Sequence, residues 1–508
     1  MRVPLDIPPG INSDDTAFAS SPAWVDGSNV RFRLGRAQTI GGWESLVSTA
    51  LTGVCRSAFP WTDNVATLNI AFGTHSKLEL FQGGALYDLT PASGFTAGAV
   101  DGSGSAGFGT GAYGIGGYGS PSATDYFPLT WSLAAWGQKL LACPRNQTIF
   151  EWSNNTASKA AAVTNAPANV TYMLVAPTRQ VFALGCNQES GGVFNPTCIR
   201  HCSVGDNTDW TTTSSSASTA REYVLPGGGR IVAGRIVGRS ILVWTSHGLF
   251  LGTYYGQIGK VWSFDKVGDK CGLAGPNAAV IVGSTAFWVS PDRQFHSYVL
   301  GGSVNSVDCP IREAFADNLA ASQADKIVAS STAEFNEIRF DYPDARDGYE
   351  NSRYLALAVA GPDAGAWYTG QMARTAMVDA GPSSYPCGVT VDGMVYWHER
   401  GTSADGSPLT WFIESADIFL DQNKVALVKG VWPDIASQMG PVYLDVSSRM
   451  YPQGDATAYP QITLTPSQDK ADFKASGRLF RFRISGNSSP SQARLGLLGA
   501  DLKLRGRK

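Results

Sequence analysis

At 508 residues the chain is too long for one small core, and its length predicts roughly two to four domains. Charged residues make up only 16%, whereas glycine, proline and aromatic residues are abundant (57 Gly, 27 Pro, 14 Trp, 18 Tyr and 23 Phe), a balance typical of all-β proteins with many short strands. The formal net charge of −3 argues against a generally basic nucleic-acid binder, so any contact with DNA must be local or steric.

The chain shows no sign of a membrane span or of secretion. No apolar run is long enough to cross a bilayer, and the first residues lack the apolar core of a signal peptide. We therefore expect folding in a reducing cytoplasm. The eight cysteines are scattered, which predicts small core residues and not a disulfide framework.

Residues 1–50 predict an extended polar arm followed by a β-hairpin. In the hairpin, apolar and basic residues alternate, as on a strand whose two faces differ. A tight turn and a return strand follow. The apolar face consists of Val30, Phe32 and Leu34, and the basic face consists of Arg31 and Arg33. The turn consists of Leu34, Gly35 and Arg36.

Residues 51–400 repeat an aromatic-and-turn rhythm with a period of roughly 40 to 50 residues, as expected of propeller blades. Each unit indicates three or four short strands separated by Gly, Asp or Asn turns. A single such sheet has two apolar faces that it cannot bury alone, so the units must stack, and radial stacking gives a β-propeller. The rhythm predicts six or seven blades. Two or three separate β-sandwiches are the alternative arrangement.

A glycine-rich segment, residues 101–120, interrupts this rhythm. Nearly half of its residues are Gly, and three aromatic residues recur at intervals of five: Phe108, Tyr113 and Tyr118. Such a composition is typical of a flexible loop between strands. The functional alternative is an aromatic loop that becomes ordered only against a neighbouring subunit.

Residues 401–508 predict a second domain, because the strands become longer and alternate more evenly. Six such strands make a small β-sandwich or barrel. In residues 478–485, Phe480, Phe482 and Ile484 point to one side and Arg481 and Arg483 to the other. Because the N-terminal hairpin shows the same alternation, we expect both ends of the chain to meet in one sheet of this platform domain.

The last 31 residues are strongly basic. From Arg478 onward the chain has eight Lys or Arg and one acid, Asp501. A strand edge with this much positive charge has three explanations. It is exposed to solvent, where its charge prevents unwanted pairing with other strands, it binds an acidic partner, or it faces phosphate groups. We predict that it lies at an interface between subunits or rings. The candidate interface residues are Arg31, Arg33, Arg478, Arg481, Arg483, Arg494, Lys503, Arg505, Arg507 and Lys508, with Phe108, Tyr113 and Tyr118 of the glycine-rich segment.

One cysteine-histidine cluster has metal-like spacing, Cys198-Ile199-Arg200-His201-Cys202, with Cys186 upstream. A zinc site needs a second pair of ligands, and on a strand residues four apart lie about 13 Å from each other. We therefore expect no metal. Residues 203–210 faintly resemble the Asp-box turn of sialidase-type propellers, and a plain turn is the simpler interpretation.

The acidic residues at 341–350 could form a calcium loop. They lack EF-hand spacing, so a solvated hairpin turn is the favoured interpretation. The five histidines are dispersed, and no nucleophile elbow, phosphate-binding loop or dinucleotide motif is present. We expect no catalytic residues and no cofactor, and hence no enzyme.

Several motifs, taken in order, resemble those of one family. They are Asn29-Val30-Arg31-Phe32-Arg33-Leu34-Gly35-Arg36 with Gly41-Gly42-Trp43, Gly73-Thr74 with Lys77-Leu78, Tyr87-Asp88-Leu89-Thr90-Pro91, the Tyr-Gly repeats at 113–119, and the stretch 477–484 with Arg494-Leu495-Gly496. Along its whole length the chain resembles the tail nozzle proteins of short-tailed bacteriophages, also called head-completion or packaged-DNA stabilisation proteins.

This resemblance implies a propeller flanked by a platform domain built from both termini, assembled in the host cytoplasm and placed in the virion tail as a homohexameric ring. The ring would sit below the portal and adaptor rings, close the channel over the packaged genome, and anchor tail fibre or spike proteins. Double-stranded DNA would pass through its lumen without sequence-specific binding. The chain lacks the long insertion of larger members. A propeller that binds or hydrolyses glycans is the alternative, motivated by the many Trp and Tyr residues.

Overall fold

The computed structural model describes residues 2–102, 127–212, 218–227, 229–257, 260–420 and 424–504. Within these ranges the chain is built almost entirely of β-strands. It has one seven-residue α-helix, α1 (Arg312–Asn318), and two short 3₁₀ helices, Ala321–Lys326 and Ala333–Phe335. The all-β class that the composition predicts is confirmed.

Five strands lie in the first 50 residues, and 27 more lie between residues 55 and 398. The N-terminal strands are β1 (Arg2–Leu5), β2 (Trp24–Ser28), β3 (Val30–Arg33), β4 (Arg36–Thr39) and β5 (Trp43–Ser45). The next sixteen are β6 (Cys55–Thr62), β7 (Leu68–Thr74), β8 (Leu78–Gln82), β9 (Ala85–Asp88), β10 (Trp131–Trp136), β11 (Lys139–Pro144), β12 (Phe150–Trp152), β13 (Ala161–Ala162), β14 (Tyr172–Ala176), β15 (Gln180–Asn187), β16 (Phe194–His201), β17 (Arg221–Val224), β18 (Ile231–Val237), β19 (Ser240–Thr245), β20 (Gly248–Gln257) and β21 (Lys260–Asp269). The remaining eleven are β22 (Ala279–Val282), β23 (Thr285–Val289), β24 (Phe295–Val299), β25 (Val304–Ser306), β26 (Val328–Thr332), β27 (Glu337–Pro343), β28 (Asn351–Ala358), β29 (Trp367–Gln371), β30 (Ala376–Val378), β31 (Cys387–Val389) and β32 (Val395–His398).

These strands form consecutive four-stranded antiparallel sheets. Strands β6 to β29 make six sheets of four strands in chain order, and β30, β31 and β32 are joined by β5 to make another. The first strand of each sheet contacts the first strand of the next, and β30 contacts β6. The arrangement is therefore propeller-like, with sheets placed around a common centre.

Eleven strands follow in the C-terminal part: β33 (Trp411–Ser415), β34 (Ile418–Phe419), β35 (Ala426–Trp432), β36 (Ile435–Met439), β37 (Val442–Arg449), β38 (Thr457–Ala458), β39 (Ile462–Leu464), β40 (Ala471–Gly477), β41 (Leu479–Gly486), β42 (Gln492–Leu495) and β43 (Leu498–Leu504). They form three sheets with the N-terminal strands, which we call the terminal sheets. Their orders are β1-β43-β35-β40, β2-β33-β41-β37-β38 with β34 and β39 attached, and β3-β4-β42-β36. Strands from the two ends of the chain thus pair directly.

Strand β41 shows the predicted alternation. Phe480, Phe482 and Ile484 are each at most 1% exposed, whereas Arg481 and Arg483 are half-buried on the opposite face. The apolar side chains pack in the largest core cluster of the protein. The interpretation of this stretch as a strand with one buried face is confirmed.

The N-terminal hairpin departs from the prediction at two positions. Leu34 is exposed, because with Gly35 it forms a two-residue turn in which both residues have positive φ (52° and 75°). Arg31, predicted on the outer face with Arg33, is only 3% exposed. The outer face of this strand is therefore covered by other parts of the chain.

A buried tryptophan, Trp131, connects two neighbouring sheets. Trp131 on β10 is 2% exposed, and its indole N–H donates a 2.8 Å hydrogen bond to the carbonyl of Thr74 on β7, in the preceding sheet. Its ring lies directly on Gly73, where an added Cβ would come within 2.4 Å of the indole. A glycine is therefore needed for this close approach between sheets.

Candidate functional site

The arginines of β41 find their acids within the same chain. Arg481 donates hydrogen bonds to Asp417 (2.9 Å) and Glu414 (3.2 Å), and Arg483 donates one to Glu414 (3.0 Å). The guanidinium of Arg483 also lies 3.5 Å from the centre of the Phe412 ring. This positive charge is therefore balanced by acids of the same chain, and the interface role of Arg481 and Arg483 stays a prediction.

Arg31 is likewise occupied within the chain. Its guanidinium forms a bidentate pair with Glu399 (2.6 and 2.8 Å), and its Nε lies 3.0 Å from Glu337 without hydrogen-bond alignment. It also stacks 3.7 Å from the centre of the Phe335 ring. Because Arg31 is buried among these groups, an acid of another subunit cannot reach it, and the prediction of an interface role for this residue loses its basis.

The other candidate residues differ in their surroundings. Arg33 is exposed, and its backbone carbonyl accepts a 3.4 Å hydrogen bond from Arg494. The guanidinium of Arg478 lies 5.7 Å from the centre of the Tyr451 ring, and Lys503 is exposed on β43. Arg505, Arg507, Lys508, Phe108, Tyr113 and Tyr118 lie outside the described residues.

Arg31 belongs to a larger cluster of buried charges that we call the arginine joint. It contains three arginines, three carboxylates and one histidine: Arg31, Arg339, Arg374, Glu337, Asp341, Glu399 and His398. Arg31 comes from the N-terminal hairpin, whereas the other members come from β27, from the segment before β30, and from the end of β32. The joint therefore connects the terminal sheets to two sheets of the ring.

The joint holds equal numbers of positive and negative groups, and all but Arg374 lie next to an opposite charge. Arg339 pairs with Asp341, and the backbone N–H of Gly41 donates a 2.9 Å hydrogen bond to Glu399. Burial opposes ionisation of Glu399, but attraction and hydrogen bonds from Arg31 outweigh it and hold the pKa of this carboxyl below its usual range. With three positive and three negative groups, the joint can stay ionised without net charge.

His398 is the neutral member of the joint. Burial lowers its pKa well below the ordinary value, and the nearby positive charges of Arg374 and Arg339 lower it further. Its Nε2 accepts a 2.8 Å hydrogen bond from Nε of Arg374, as an unprotonated ring nitrogen must. Burial, with the repulsion from Arg339, also lowers the pKa of Arg374 to about 10.

The joint encloses almost no free space. The cavity lined by Arg31, Glu337, Arg339, His398 and Glu399 measures about 20 Å³, which leaves room for about one water molecule. It is too small for a substrate. The arrangement is therefore suited to fixing one part of the chain against another.

A larger cavity of about 340 Å³ lies where the first strands of the sheets converge. Asp379 is the single carboxylate among its lining residues, and it accepts hydrogen bonds from Ser331 and from the N–H of Ala333. Arg56, also in the lining, forms a bidentate pair with Glu350 (2.6 and 2.7 Å). This lining does not provide the pair of opposed carboxylates that glycoside hydrolysis requires.

The described ends of the glycine-rich segment are anchored beside this cavity. Lys326 is fully buried and binds both Asp101 (2.5 Å) and Glu350 (2.8 Å). Gln323 exchanges two hydrogen bonds with the backbone of Gly102, at 2.9 and 2.8 Å. Beyond the segment, the ring centre of Phe127 lies 4.1 Å from the guanidinium of Arg145 and 4.3 Å from that of Arg230.

The cysteine-histidine segment does not form a metal site. Cys198 lies 4.0 Å from Cys186, whereas Cys202 accepts a hydrogen bond from the N–H of Val181 and His201 contacts Gln180. Among the described residues, no group of three or more His, Cys, Asp or Glu side chains is arranged to hold a metal ion. Cys198 and Cys202, four residues apart, therefore have different neighbours and pack as ordinary core residues.

The acidic segment at 341–350 is a hairpin turn, but its acids are less solvated than predicted. Asp341 and Asp344 are fully buried, and Asp344 pairs with Arg346 (2.6 Å) and Arg353 (3.3 Å). Arg353 also binds Asp347 at 2.8 Å. Because arginines occupy these carboxylates, they do not converge on a cation.

Residues 203–210 form a compact turn. Asp206 accepts hydrogen bonds from the N–H and the hydroxyl of Thr208, at 2.9 and 2.7 Å. Trp210 is 1% exposed and its indole N–H donates a 2.7 Å bond to the carbonyl of Asn207. The contacts are those of a self-contained turn with a buried aromatic anchor.

We expect the cysteines to be unreactive in the folded protein. All eight are buried, and burial raises the pKa of Cys55 and of Cys202 to about 12, so the nucleophilic thiolate is scarce at neutral pH. An aromatic disulfide reagent should label fewer than about one thiol per native chain and all eight in denaturant. Rapid labelling of two or more thiols in the native state would contradict this prediction.

Comparisons with known proteins do not add a family. No protein-family model and no curated protein matches the chain. Two solved structures are similar: the computationally designed Ika8 protein, with 10% identity, a TM-score of 0.37 and coverage of 70% of this chain and 99% of that one, and BBS1N in complex with ARL6DN, with 9% identity, a TM-score of 0.40 and coverage of 71% and 98%. Likeness at this level carries no argument. No helix among the described residues is long and apolar enough to cross a membrane.

Proposed function

We propose that the protein is a structural component of a bacteriophage tail, the nozzle ring that lies below the portal and adaptor rings. As a homohexamer it would close and conduct the genome channel and anchor fibre or spike proteins. The observation that carries the proposal is the direct pairing of N-terminal and C-terminal strands, β1 with β43, β2 with β33 and β4 with β42, beside a ring of four-stranded sheets. This is the arrangement that the resemblance of the sequence implies.

We further propose that the ring is a seven-bladed propeller and that the terminal sheets form its platform domain. The support is the count of consecutive four-stranded sheets between β6 and β32 and the contact between β30 and β6. In this assignment residues 51–400 form the propeller, and residues 1–50 and 401–508 form the platform. Strand β5 is the exception, because it completes the last blade.

The construction suits a rigid wall. The arginine joint binds the platform to the propeller through the bidentate pair of Arg31 and Glu399, and such paired guanidinium and carboxylate groups fix orientation as well as distance. A conduit for DNA also benefits from a weakly charged chain, because a strongly basic lumen would hold the phosphates and slow their passage. The net charge of −3 is compatible with this role.

Within this proposal, the contact between copies would include the tip of the N-terminal hairpin. Leu34 is 61% exposed there, Arg33 is exposed, and Arg494 reaches the same turn. An exposed leucine next to Arg33, at a turn that Arg494 also reaches, is suited to an apolar contact with an acidic rim on the next copy. Arg481 and Arg483, by contrast, serve the terminal sheet itself.

The test is the oligomeric state of the purified protein. We expect native mass spectrometry and negative-stain images to show six-chain rings, and a glycan array to show no binding. Combined Arg33→Glu and Arg494→Glu substitutions should give folded single chains, because these side chains make few contacts within the chain. The matched control, Lys260→Glu, reverses one exposed charge on β21 and should leave the rings intact. A stable monomer that binds a glycan saturably would overturn the proposal.

A further inference from the structure

The terminal sheets contain an open groove that the proposed function does not use. It measures about 820 Å³ and lies between β35 and β40 on one side and the segment leading into β39 on the other. Its apolar lining includes Leu427, Ile462 and Phe473, all half-buried. The groove is therefore a preformed site with an apolar floor.

The rim of the groove is positively charged. Its lining contains three lysines, Lys429, Lys470 and Lys474, and one acid, Asp472. Lys470 forms an ion pair with Asp472 at 2.7 Å, and its ammonium group also lies 3.6 Å from the carboxylate of Asp501. Lys429 and Lys474 are exposed and have no ion-pair partner within the described ranges. Two positive charges thus remain available beside an apolar floor.

The groove is also bordered by a free strand edge. β40 pairs with β35 on one side and with no other strand in the part of the chain that the structure describes. The pairing with β35 is interrupted by a bulge, at which Lys429 of β35 lies opposite Phe473 and Lys474 of β40. Further along β40, the N–H of Ser476 donates a 2.9 Å hydrogen bond to the hydroxyl of Tyr459. That hydroxyl donates a 3.1 Å hydrogen bond to the carbonyl of Ser476. Tyr459 therefore covers the edge of β40 at Ser476, whereas Asp472, Phe473 and Lys474 of the same strand line the groove.

We propose that this lysine-rimmed groove binds an extended acidic segment of a partner protein, which adds as a strand at the edge of β40. An added strand would pair with the outer edge of β40, place apolar side chains on the floor, and bring acidic side chains near Lys429 and Lys474. The proposal goes beyond ring assembly and does not depend on it.

The apolar floor and the strand edge favour a protein over a nucleic acid. A phosphate backbone would use the lysines but would leave Leu427, Ile462 and Phe473 in contact with no apolar group. An acidic peptide of alternating pattern satisfies all three features at once, because the side chains of a strand point to opposite faces with a period of two. Charge complementarity then selects acidic over basic segments.

The probe is a fluorescent peptide in which Val and Glu alternate, titrated with the full-length protein and followed by anisotropy. We expect saturable binding that weakens about tenfold in the double variant Lys429→Glu/Lys474→Glu, because two opposite-charge contacts become repulsive. Lys260→Glu, a reversal at an exposed lysine of β21 far along the chain, should not change the affinity. A peptide of alternating Val and Lys should not bind, and N-methylation of alternate residues in the acidic peptide should abolish binding, because it removes the ladder hydrogen bonds.

Four outcomes of the binding experiments would overturn the proposal. They are the absence of saturable binding, equal weakening by Lys260→Glu, competition by short duplex DNA as strong as that by unlabelled peptide, and full binding by the N-methylated peptide. The third would identify a general polyanion face. A change in oligomeric state in the Lys429→Glu/Lys474→Glu variant without a change in peptide affinity would also overturn it, because the groove would then serve a second copy of this chain.

Discussion

Replacing Arg31 by alanine should destabilise the protein by roughly 3–5 kcal/mol, the range found when one partner of a buried ion pair is removed. Arg31 is 3% exposed, and its removal leaves Glu399 and Glu337 without their closest positive charge. Both carboxyls are buried in a joint whose charges balance only when Arg31 is present. Protonation of the carboxyls would limit the loss, at the expense of the hydrogen bonds that the ionised Glu399 accepts.

The matched control is Arg33→Ala, two residues along the same strand. Arg33 is exposed, and its guanidinium lies 5.4 Å from the centre of the Phe335 ring, so its loss should cost at most about 1 kcal/mol. Equilibrium denaturation followed by tryptophan fluorescence would measure both variants. Equal losses in the two variants would show that the joint has no special energetic role.

A rescue experiment separates charge from packing. If the loss in Arg31→Ala arises from unpaired buried carboxylates, then Arg31→Met combined with Glu337→Gln and Glu399→Gln should recover most of the stability. Methionine restores the buried volume, and neutral amides remove the charge imbalance. Failure of the triple variant to recover would indicate that the bidentate geometry itself holds the hairpin in place.

The burial of Arg31 shows where sequence-based prediction reaches its limit. The alternation of Val30 and Phe32 with arginines correctly predicts a strand, because the period of two is a local property. It cannot show what covers the second face. The covering acid, Glu399, lies 368 residues later in the chain, and its spacing from Arg31 follows no local pattern.

Strand β41 was predictable for the opposite reason. Its buried residues, Phe480, Phe482 and Ile484, belong to the largest core cluster, and its arginines meet Glu414 and Asp417, which lie in the same C-terminal region. The alternation that predicts the buried face can therefore be recognised from the residues of this strand alone. A single sequence does not show which acids a strand places opposite its arginines, so the pattern alone could not identify these partners within the chain.

The short strand β5 escaped prediction altogether. Three residues, Trp43–Ser45, carry too little periodicity to be distinguished from the end of the N-terminal hairpin. In the structure they leave the terminal sheets and pair with β32, as the fourth strand of the sheet that begins with β30. The fourth strand of this sheet thus comes from a distant part of the chain, and no local motif in residues 43–45 indicates that pairing.

This shared sheet leads to the second prediction, a large stabilisation by a disulfide between β5 and β32. The N–H of Leu46 donates a 2.8 Å bond to the carbonyl of Val395, which makes these two a hydrogen-bonded pair. Ser45 and Tyr396 are therefore a non-hydrogen-bonded pair, with Cα atoms about 4.5 Å apart, within the range that a disulfide spans. Ser45→Cys with Tyr396→Cys should oxidise readily and raise stability by up to about 5 kcal/mol, because the bond closes a very long loop in the unfolded chain.

The single substitutions and the reduced double variant are the controls. Tyr396→Cys alone should be slightly destabilising, since it removes a ring 5.1 Å from the guanidinium of Arg374. In the double variant the native thiols should not compete for oxidation, because all of them are buried. A denaturation midpoint that is the same in the oxidised and reduced forms would contradict the prediction.

Substitutions at Glu44 test the same closure from the other direction. By the alternation of the ladder, the N–H of Glu44 faces Trp397 on β32, so Glu44→Pro should remove a hydrogen bond that holds the ring closed. Glu44→Ala removes only an exposed ion pair with Arg400 (2.7 Å) and should change stability by less than about 1 kcal/mol.

If the ring closes through β5, Glu44→Pro should speed hydrogen exchange in β30, β31 and β32 before it affects the terminal sheets. The engineered disulfide between β5 and β32 should reverse that effect. Unchanged exchange in these three strands would mean that the last sheet is stable without its fourth strand.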